Sequence, residues 1–365
     1  MKPAILHVIT TIDRGGAENH LLELARAQVK IGHKVAVAYL KGTGEQKENF
    51  RSAGIEVIQG GKSFFTQFAK IHRLARSGLF PIVHAHLPQA ELACLGIPNH
   101  VISRHVTKRF VPSGPVFISK LVAKLSSHRC HVIAISEAVK DFLNENNELS
   151  KTAKINVVYY GINHKDFEIP NFDRVQWRQK HFLSDESTFV FGSISRLDPQ
   201  KDLTTLIRAF AIVSKEIESK LFVMGVGPLR ESLASLASEL KLTGKIMFMG
   251  KRADTPEFLN SIDAFILTSK YEGLGLVLLE AMASGAPIIA ANNSAIKEVV
   301  NKNVAILFQT SSVEELVASM RQMVRDDKER IERVVKGKRR VCENFGVDSM
   351  LKGTERVYSY MLARN

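Results

Sequence analysis

AFILTSKYEGLGLVLLEAMASGAPIIAA, Ala264 to Ala291, contains a whole strand–loop–helix–strand passage. Ala264–Thr268 reads as a short buried strand, Leu276–Ser284 as a helix and Pro287–Ala291 as the next strand. In the loop between them, Gly273 and Gly275 let the backbone approach a ligand closely. The free N–H groups of Leu276 and Val277, at the helix start, point where an anion can sit. Glu272 in the loop and Glu280 inside the helix can face one pocket. A carboxylate that accepts two hydroxyl hydrogen bonds is suited to reading a ribose or hexose diol.

The same alternation runs outward from this passage in both directions. Ala4–Thr11, Lys34–Leu40, Glu56–Ile58, Ile82–His86, His100–Arg104 and His131–Ile135 read as strands of a first sheet. After a turn-rich stretch at Asn163–Asn171 the pattern restarts with Phe189–Ile194, Lys220–Val226 and Ile246–Met249, then reaches Ala264–Thr268 and Pro287–Ala291. The fold class is therefore α/β, with two Rossmann-like doubly wound domains in series. Ligands are expected at the carboxyl ends of the strands, in a cleft that closes by hinge motion near Asn163–Asn171. The predicted division is 1–165, 166–348 and a final segment 349–365, whose amphipathic helix Ser349–Leu362 crosses back to the first domain.

Composition narrows the function. The 365 residues are 45% apolar and 24% charged, which suits two globular domains and argues against disorder. Cys94, Cys130 and Cys342 are scattered, with no metal or disulfide spacing, so a reducing, cytoplasmic setting is expected. The first apolar run makes no convincing export signal, and Gly273–Ala291 is broken by Glu280 and Pro287. The net charge is +13, yet no acidic residue occurs between Glu91 and Glu137. That window carries Arg104, Lys108, Arg109, Lys120, Lys124 and Arg129, a surface suited to anionic lipid, phosphate or nucleic acid. Nucleic acid is set aside, because no zinc-finger, RRM or homeodomain pattern occurs and aromatics do not interleave with the cations. A Rossmann dehydrogenase would need G-x-G-x-x-G after the first strand, where Asp13-Arg14-Gly15-Gly16-Ala17-Glu18 stands.

The string E-G-x-G-L-x-x-x-E-A-M-A-x-G-x-P from Glu272 to Pro287 resembles the signature of the family-4 glycosyltransferases, retaining enzymes of the GT-B fold. Gly192 to Lys201, Val226-Gly227-Pro228, Phe248 to Arg252, Gly15 to Glu18, His84-Ala85-His86 and Ala134 to Glu137 match the family in order. The resemblance implies a nucleotide diphospho-sugar donor, with UDP preferred to GDP or ADP, and no cofactor or metal. It places Arg196 and Lys201 on the diphosphate leaving group, where cations offset the developing charge. It places Glu280 on the ribose and Glu272 on a sugar hydroxyl. Gly15, Gly16, Gly227, Arg252, Gly273, Leu274, Gly275, Leu276 and Val277 would line the donor. His84 and His86 share one face of a strand, so either could stand beside the reacting carbon. His86 is preferred as nearer the strand's carboxyl end. His84, Arg104, His105, Ser136 and Glu137 fall on the acceptor side. A sugar-nucleotide epimerase of the same build is the alternative enzyme.

Two places depart from the family pattern. Tyr160-Gly161-Ile162-Asn163 stands where relatives often read N-G-I-D, and Ala291 to Glu298 lacks the usual glycine pair. The apolar loop Phe110–Ile118, the helix Val116–Leu125 and Lys108, Arg109, Lys120 and Lys124 suit an anionic bilayer surface. A lipid-linked or lipopolysaccharide-type glycan acceptor, approached from the cytoplasmic face, is the expectation.

Overall fold

The computed structural model describes residues 2–61, 63–105, 107, 109–111, 114–181 and 187–363. Lys108 and the Pro112 and Ser113 part of the apolar loop lie outside them. The chain divides into two compact units, Met1–Ile162 with Phe345–Asn365, and Asn163–Asn344.

The first unit is built on β1 (Ile5–Ile9), β2 (Val35–Tyr39), β3 (Glu56–Gln59), β4 (Ile82–His86), β5 (Val101–Arg104), β6 (His131–Ala134) and β7 (Lys154–Val157). They form one sheet in the order β3-β2-β1-β4-β5-β6-β7, every pair parallel. The central strands are buried along their whole length, as helices on both faces require. In the second unit, β8 (Phe189–Ile194), β9 (Ser219–Met224), β10 (Ile246–Gly250), β11 (Ala264–Leu267), β12 (Ile288–Ala291) and β13 (Ala305–Phe308) pair in the order β10-β9-β8-β11-β12-β13, again all parallel. Both units are doubly wound, and in each the chain order reverses beside the first strand.

The last helix, Val347–Leu362, packs on the helix Gly16–Lys30 of the first unit. It buries Met350, Leu351, Val357, Tyr358 and Met361, and the last three share a core with Ile5, Leu21, Val37 and Val158. The chain crosses between units at Ile162–Asn163 and Asn344–Phe345, a few residues earlier at each place than the sequence pattern suggested. Pairing explains the shift. The Ile162 N–H donates to the Phe345 carbonyl at 2.9 Å, and Ile162 bridges Gly346 in parallel. Gly161 sits so close that a Cβ there would lie 2.5 Å from the Gly346 carbonyl oxygen. Backbone on both sides leaves nothing flexible to yield. Gly161→Ala is therefore expected to cost about 1–3 kcal/mol and lower Tm by several degrees, read by thermal unfolding. An unchanged Tm would show that the crossing is loosely held.

Candidate active site

In the second unit, β8 and β11 are neighbours at the switch point, so their following loops flank a ready-made crevice. The two loops are tied together. The Lys270 N–H donates to the Gln200 carbonyl at 2.8 Å, Gln200 Nε2 to the Tyr271 carbonyl at 2.8 Å, and Thr268 Oγ1 to the Lys201 carbonyl at 2.7 Å. Lys201 closes a short 3-10 turn, Pro199–Lys201, capped by Asp198 and followed by Asp202 in the left-handed region (φ 49°). The Asp202 carboxylate holds that turn by accepting from Thr205 and Ser311. This geometry aims Lys201 Nζ at Glu272 Oε1, 2.6 Å away, with both side chains largely buried. Gly275 caps the helix Leu276–Ser284 with φ 91°, a conformation that favours glycine. The first-turn N–H groups of Leu276 and Val277 have no carbonyl within the helix to reach.

Glu280 lies one turn further into that helix. It is half-buried and makes no side-chain hydrogen bond or ion pair among the described residues. Desolvation alone pushes its carboxyl up to about 7. A half-buried carboxyl without a protein partner is poised for ligand hydroxyls. Arg196 is the more exposed cation and pairs with Asp198 at 2.5 Å. The loop after β9 joins this floor, because the Leu197 N–H donates to the Val226 carbonyl at 3.0 Å. A Cβ at Gly227 would stand 2.4 Å from the Leu197 carbonyl oxygen. Arg252, beyond β10, is held by Asp254 (2.5 Å) and by His181 (3.0 Å). Asn293, outside the glycine-loop motif, donates through Nδ2 to the Ser269 carbonyl at 2.8 Å and so ties the loop after β12 to the glycine loop. Its signal was the departure from the family's glycine pair.

In the first unit, Gly15 precedes the helix Gly16–Lys30 with extended backbone, and a Cβ at Gly16 would meet nothing within 4 Å. His84 and His86 lie on β4, and register sets His84 beside His7 of β1. All three are fully buried. His7 Nδ1 lies 3.0 Å from His86 Nε2, and His86 Nδ1 lies 3.3 Å from His105 Nε2. His105 Nδ1 meets the Tyr160 hydroxyl. His7 Nε2 meets Gln28 Oε1 at 2.8 Å, and Gln28 Nε2 donates to the Tyr358 hydroxyl at 3.3 Å. His84 bonds Tyr358 (2.7 Å) through Nδ1 and Ser103 (2.8 Å) through Nε2. Burial lowers His7 to about 4 and His105 to about 3, and takes His84 and His86 well below 6.5. All four are neutral at pH 7.

The fold also supplies a third imidazole that the sequence did not show, since nitrogens of His7, His84 and His86 lie within 4.8 Å of one another. Each of these nitrogens already has a protein partner, so a metal would have to displace hydrogen bonds from the cluster. Arg104 sits elsewhere, buried against Glu91 (2.9 Å) and Glu148 (3.7 Å). Burial pushes the Glu91 carboxyl up to about 7 and raises that of Glu148, against which the one guanidinium acts. Ser136 caps its helix by accepting from the Val139 N–H, and Glu137 pairs with Lys140 at the surface.

Two family models cover most of the chain, Glycosyltransferase Family 4 over residues 14–166 and Glycosyl transferases group 1 over residues 173–340. The chain is 25% identical over 300 residues to N-acetyl-alpha-D-glucosaminyl L-malate synthase of Bacillus anthracis, covering 80% of this chain and 77% of that protein. It is 30% identical over 227 residues to alpha-monoglucosyldiacylglycerol synthase of Streptococcus pneumoniae, covering 60% and 48%. The matched part spans less than two thirds of the length of several curated relatives. The crystal structure of Anabaena HepE in complex with UDP and glucose superposes with a TM-score of 0.85 at 21% identity, over 98% of this chain and 100% of that one. Two parallel-sheet Rossmann-like units with these loops define the GT-B class. The chain belongs to the family-4, group 1 glycosyltransferases.

Proposed function

We propose that this chain is a retaining, metal-independent transferase that moves a hexose from a nucleotide diphospho-sugar, UDP-linked in preference to GDP- or ADP-linked, to a glycan acceptor. The observation that carries this is the second unit's loop cluster, where Lys201 and Glu272 meet at 2.6 Å and the helix Leu276–Ser284 that follows carries Glu280. In this reading Lys201 and Arg196 take the diphosphate, Glu280 the ribose and Glu272 a sugar hydroxyl. A fixed cation there offsets charge on the leaving group without a metal. The UDP and glucose bound by HepE support testing UDP-sugars first. A panel of UDP-, GDP- and ADP-sugars, scored by thermal stabilisation and product formation, tests the donor. Full activity in EDTA and a retained anomeric configuration by NMR are expected. An inverted linkage would refute the mechanism.

For the acceptor we propose a lipid-linked glycan. Among the described residues no helix is long and apolar enough to cross a membrane. The helix Val116–Ser126, however, turns Ser119, Ala123 and Ser126 inward and leaves Val116, Phe117, Leu121 and Leu125 at least half exposed. That is the reverse of a core-facing helix. Lys120 and Lys124 flank the apolar stripe, which suits an anionic bilayer. A glycolipid synthase among the relatives fits the same reading. Flotation with anionic vesicles at low salt is expected, with loss on Phe117→Glu. Equal failure to float with anionic and neutral vesicles would remove the lipid part.

A further inference from the structure

The buried imidazoles of the first unit are joined in one unbroken line, and hydrogen-bond chemistry restricts how protons can be arranged along it. Each neutral imidazole has one N–H donor and one bare acceptor nitrogen, so fixing one ring fixes its neighbour. Gln28 sits in the middle of the line. Its Nε2 donates to the Tyr358 hydroxyl and its Oε1 faces His7 Nε2, so His7 must carry its proton on Nε2. His7 Nδ1 is then an acceptor, which requires His86 to donate through Nε2. His86 Nδ1 accepts in turn from His105 Nε2, and His105 Nδ1 accepts from Tyr160. On the other side Tyr358 donates to His84 Nδ1, and His84 Nε2 donates to Ser103. Seven hydrogen bonds run in one direction, from Tyr160 to Ser103.

Apart from turning His84 alone, which would make Tyr358 accept twice and leave its buried hydroxyl proton without a partner, only a wholesale reversal would satisfy the same contacts. Reversal would make both phenols accept from imidazole, whereas a phenol is the more acidic donor and a bare imidazole nitrogen the better acceptor. The forward direction uses both phenols as donors. Tyr160 is also the residue that replaces the asparagine of the family's N-G-I-D string, so this end of the line is a feature of this chain.

We propose that Gln28 and Tyr160 are positioning residues that fix the tautomer and ring orientation of His86 through His7 and His105. The functional half of this proposal rests on the transferase reading, in which His86 serves the transfer reaction. The tautomer half does not. Spectra of the full chain labelled with 15N-histidine, correlating ring nitrogens with ring carbons' protons and assigned by single-site variants, read each tautomer directly. His7, His84, His86 and His105 are all expected as Nε2–H. Gln28→Glu should reverse the line on its short side, because the carboxylate oxygen that replaces the amide nitrogen can only accept from Tyr358, which leaves His84 to donate through Nδ1. His84 would then become Nδ1–H, accepting from Ser103 at Nε2, while His7, His86 and His105 keep Nε2–H. Tyr160→Phe, which keeps the ring and its packing, should alter the His105 signals and lower kcat roughly 2- to 10-fold at nearly unchanged KM.

A mixture of tautomers in the wild type would overturn the proposal. So would a folded Gln28→Glu protein with an unchanged His84, or Zn2+ addition that raises Tm and shifts the signals of His7, His84 and His86. If the transferase reading is what fails, no donor is turned over in any variant while the tautomers stand.

Discussion

Lys201→Ala is expected to lower kcat/KM roughly 30- to 150-fold, the equivalent of about 2–3 kcal/mol of charge-assisted contact. The protein should remain folded, because the loop that carries Lys201 is held by main-chain and Thr268 hydrogen bonds that the substitution leaves in place. The side chain is directed at Glu272 by that loop, so the two act as a unit. Their effects should therefore be less than additive, and the Lys201→Ala/Glu272→Ala double variant should be little worse than the poorer single one. Steady-state kinetics with the best donor of the panel decides this, with circular dichroism as the control for folding. Near-wild-type turnover in Lys201→Ala would sink the assignment of the loop cluster.

Glu280→Gln is expected to weaken donor binding roughly 10- to 100-fold, as a charged acceptor of hydroxyl hydrogen bonds is lost. The same change should stabilise the free protein at pH 8. The carboxyl has a folded-state pKa raised to about 7 by desolvation, above its ordinary 4.5. Between those values the folded chain holds a proton that the unfolded chain has released, so stability falls as pH rises across the window. Above pH 7 the whole cost is present, about 1–3 kcal/mol once partial exposure is allowed for. At pH 4 both states hold the proton, and wild type and variant should melt alike. Melting curves at pH 4 and pH 8 with donor titrations test both halves. Equal Tm at pH 8 would mean that the carboxyl is not desolvated in solution. A gain in stability with a loss of binding is what a strained ligand-reading group should show.

The parts of the second unit's candidate site were largely legible in the sequence, for a physical reason. Its parts lie in contiguous segments, each with its own local signal: Gly275 for a left-handed cap, Glu272 and Glu280 around it, and Lys201 at the end of a Pro-led turn. The central strands were legible too, since apolar runs of five or six residues have few other readings. Of the edge strands, β3 and β10 were legible and β7 and β13 were not. β7 (KINV) and β13 (AILF) are four residues long, and β7 is only partly buried and is interrupted by Asn156. The histidine line was the least legible. His7, Gln28, His86, His105, Tyr160 and Tyr358 become neighbours only once parallel register sets β1 against β4 and the last helix returns. The alternation His84-x-His86 showed that two rings share a face, but not that β1 would add a third. The burial of Arg104 was not legible either, because its partners are Glu91, at one border of the acid-free window, and Glu148, beyond the other.

The returning helix Val347–Leu362 has a consequence for the order in which the molecule is made. Residues up to Ile162 leave the ribosome first, but Tyr358 and Met361, which close their core, follow only after Asn163–Asn344 has been synthesised. At ordinary elongation rates that delay is roughly ten to forty seconds. During it the nascent first unit lacks the hydroxyl that bonds His84 and Gln28, and the surface around Leu24 stays uncovered. The second unit is continuous and can fold as soon as it emerges. The segment translated first is thus the last to be completed, and it is in that interval that the chain most needs protection by chaperones.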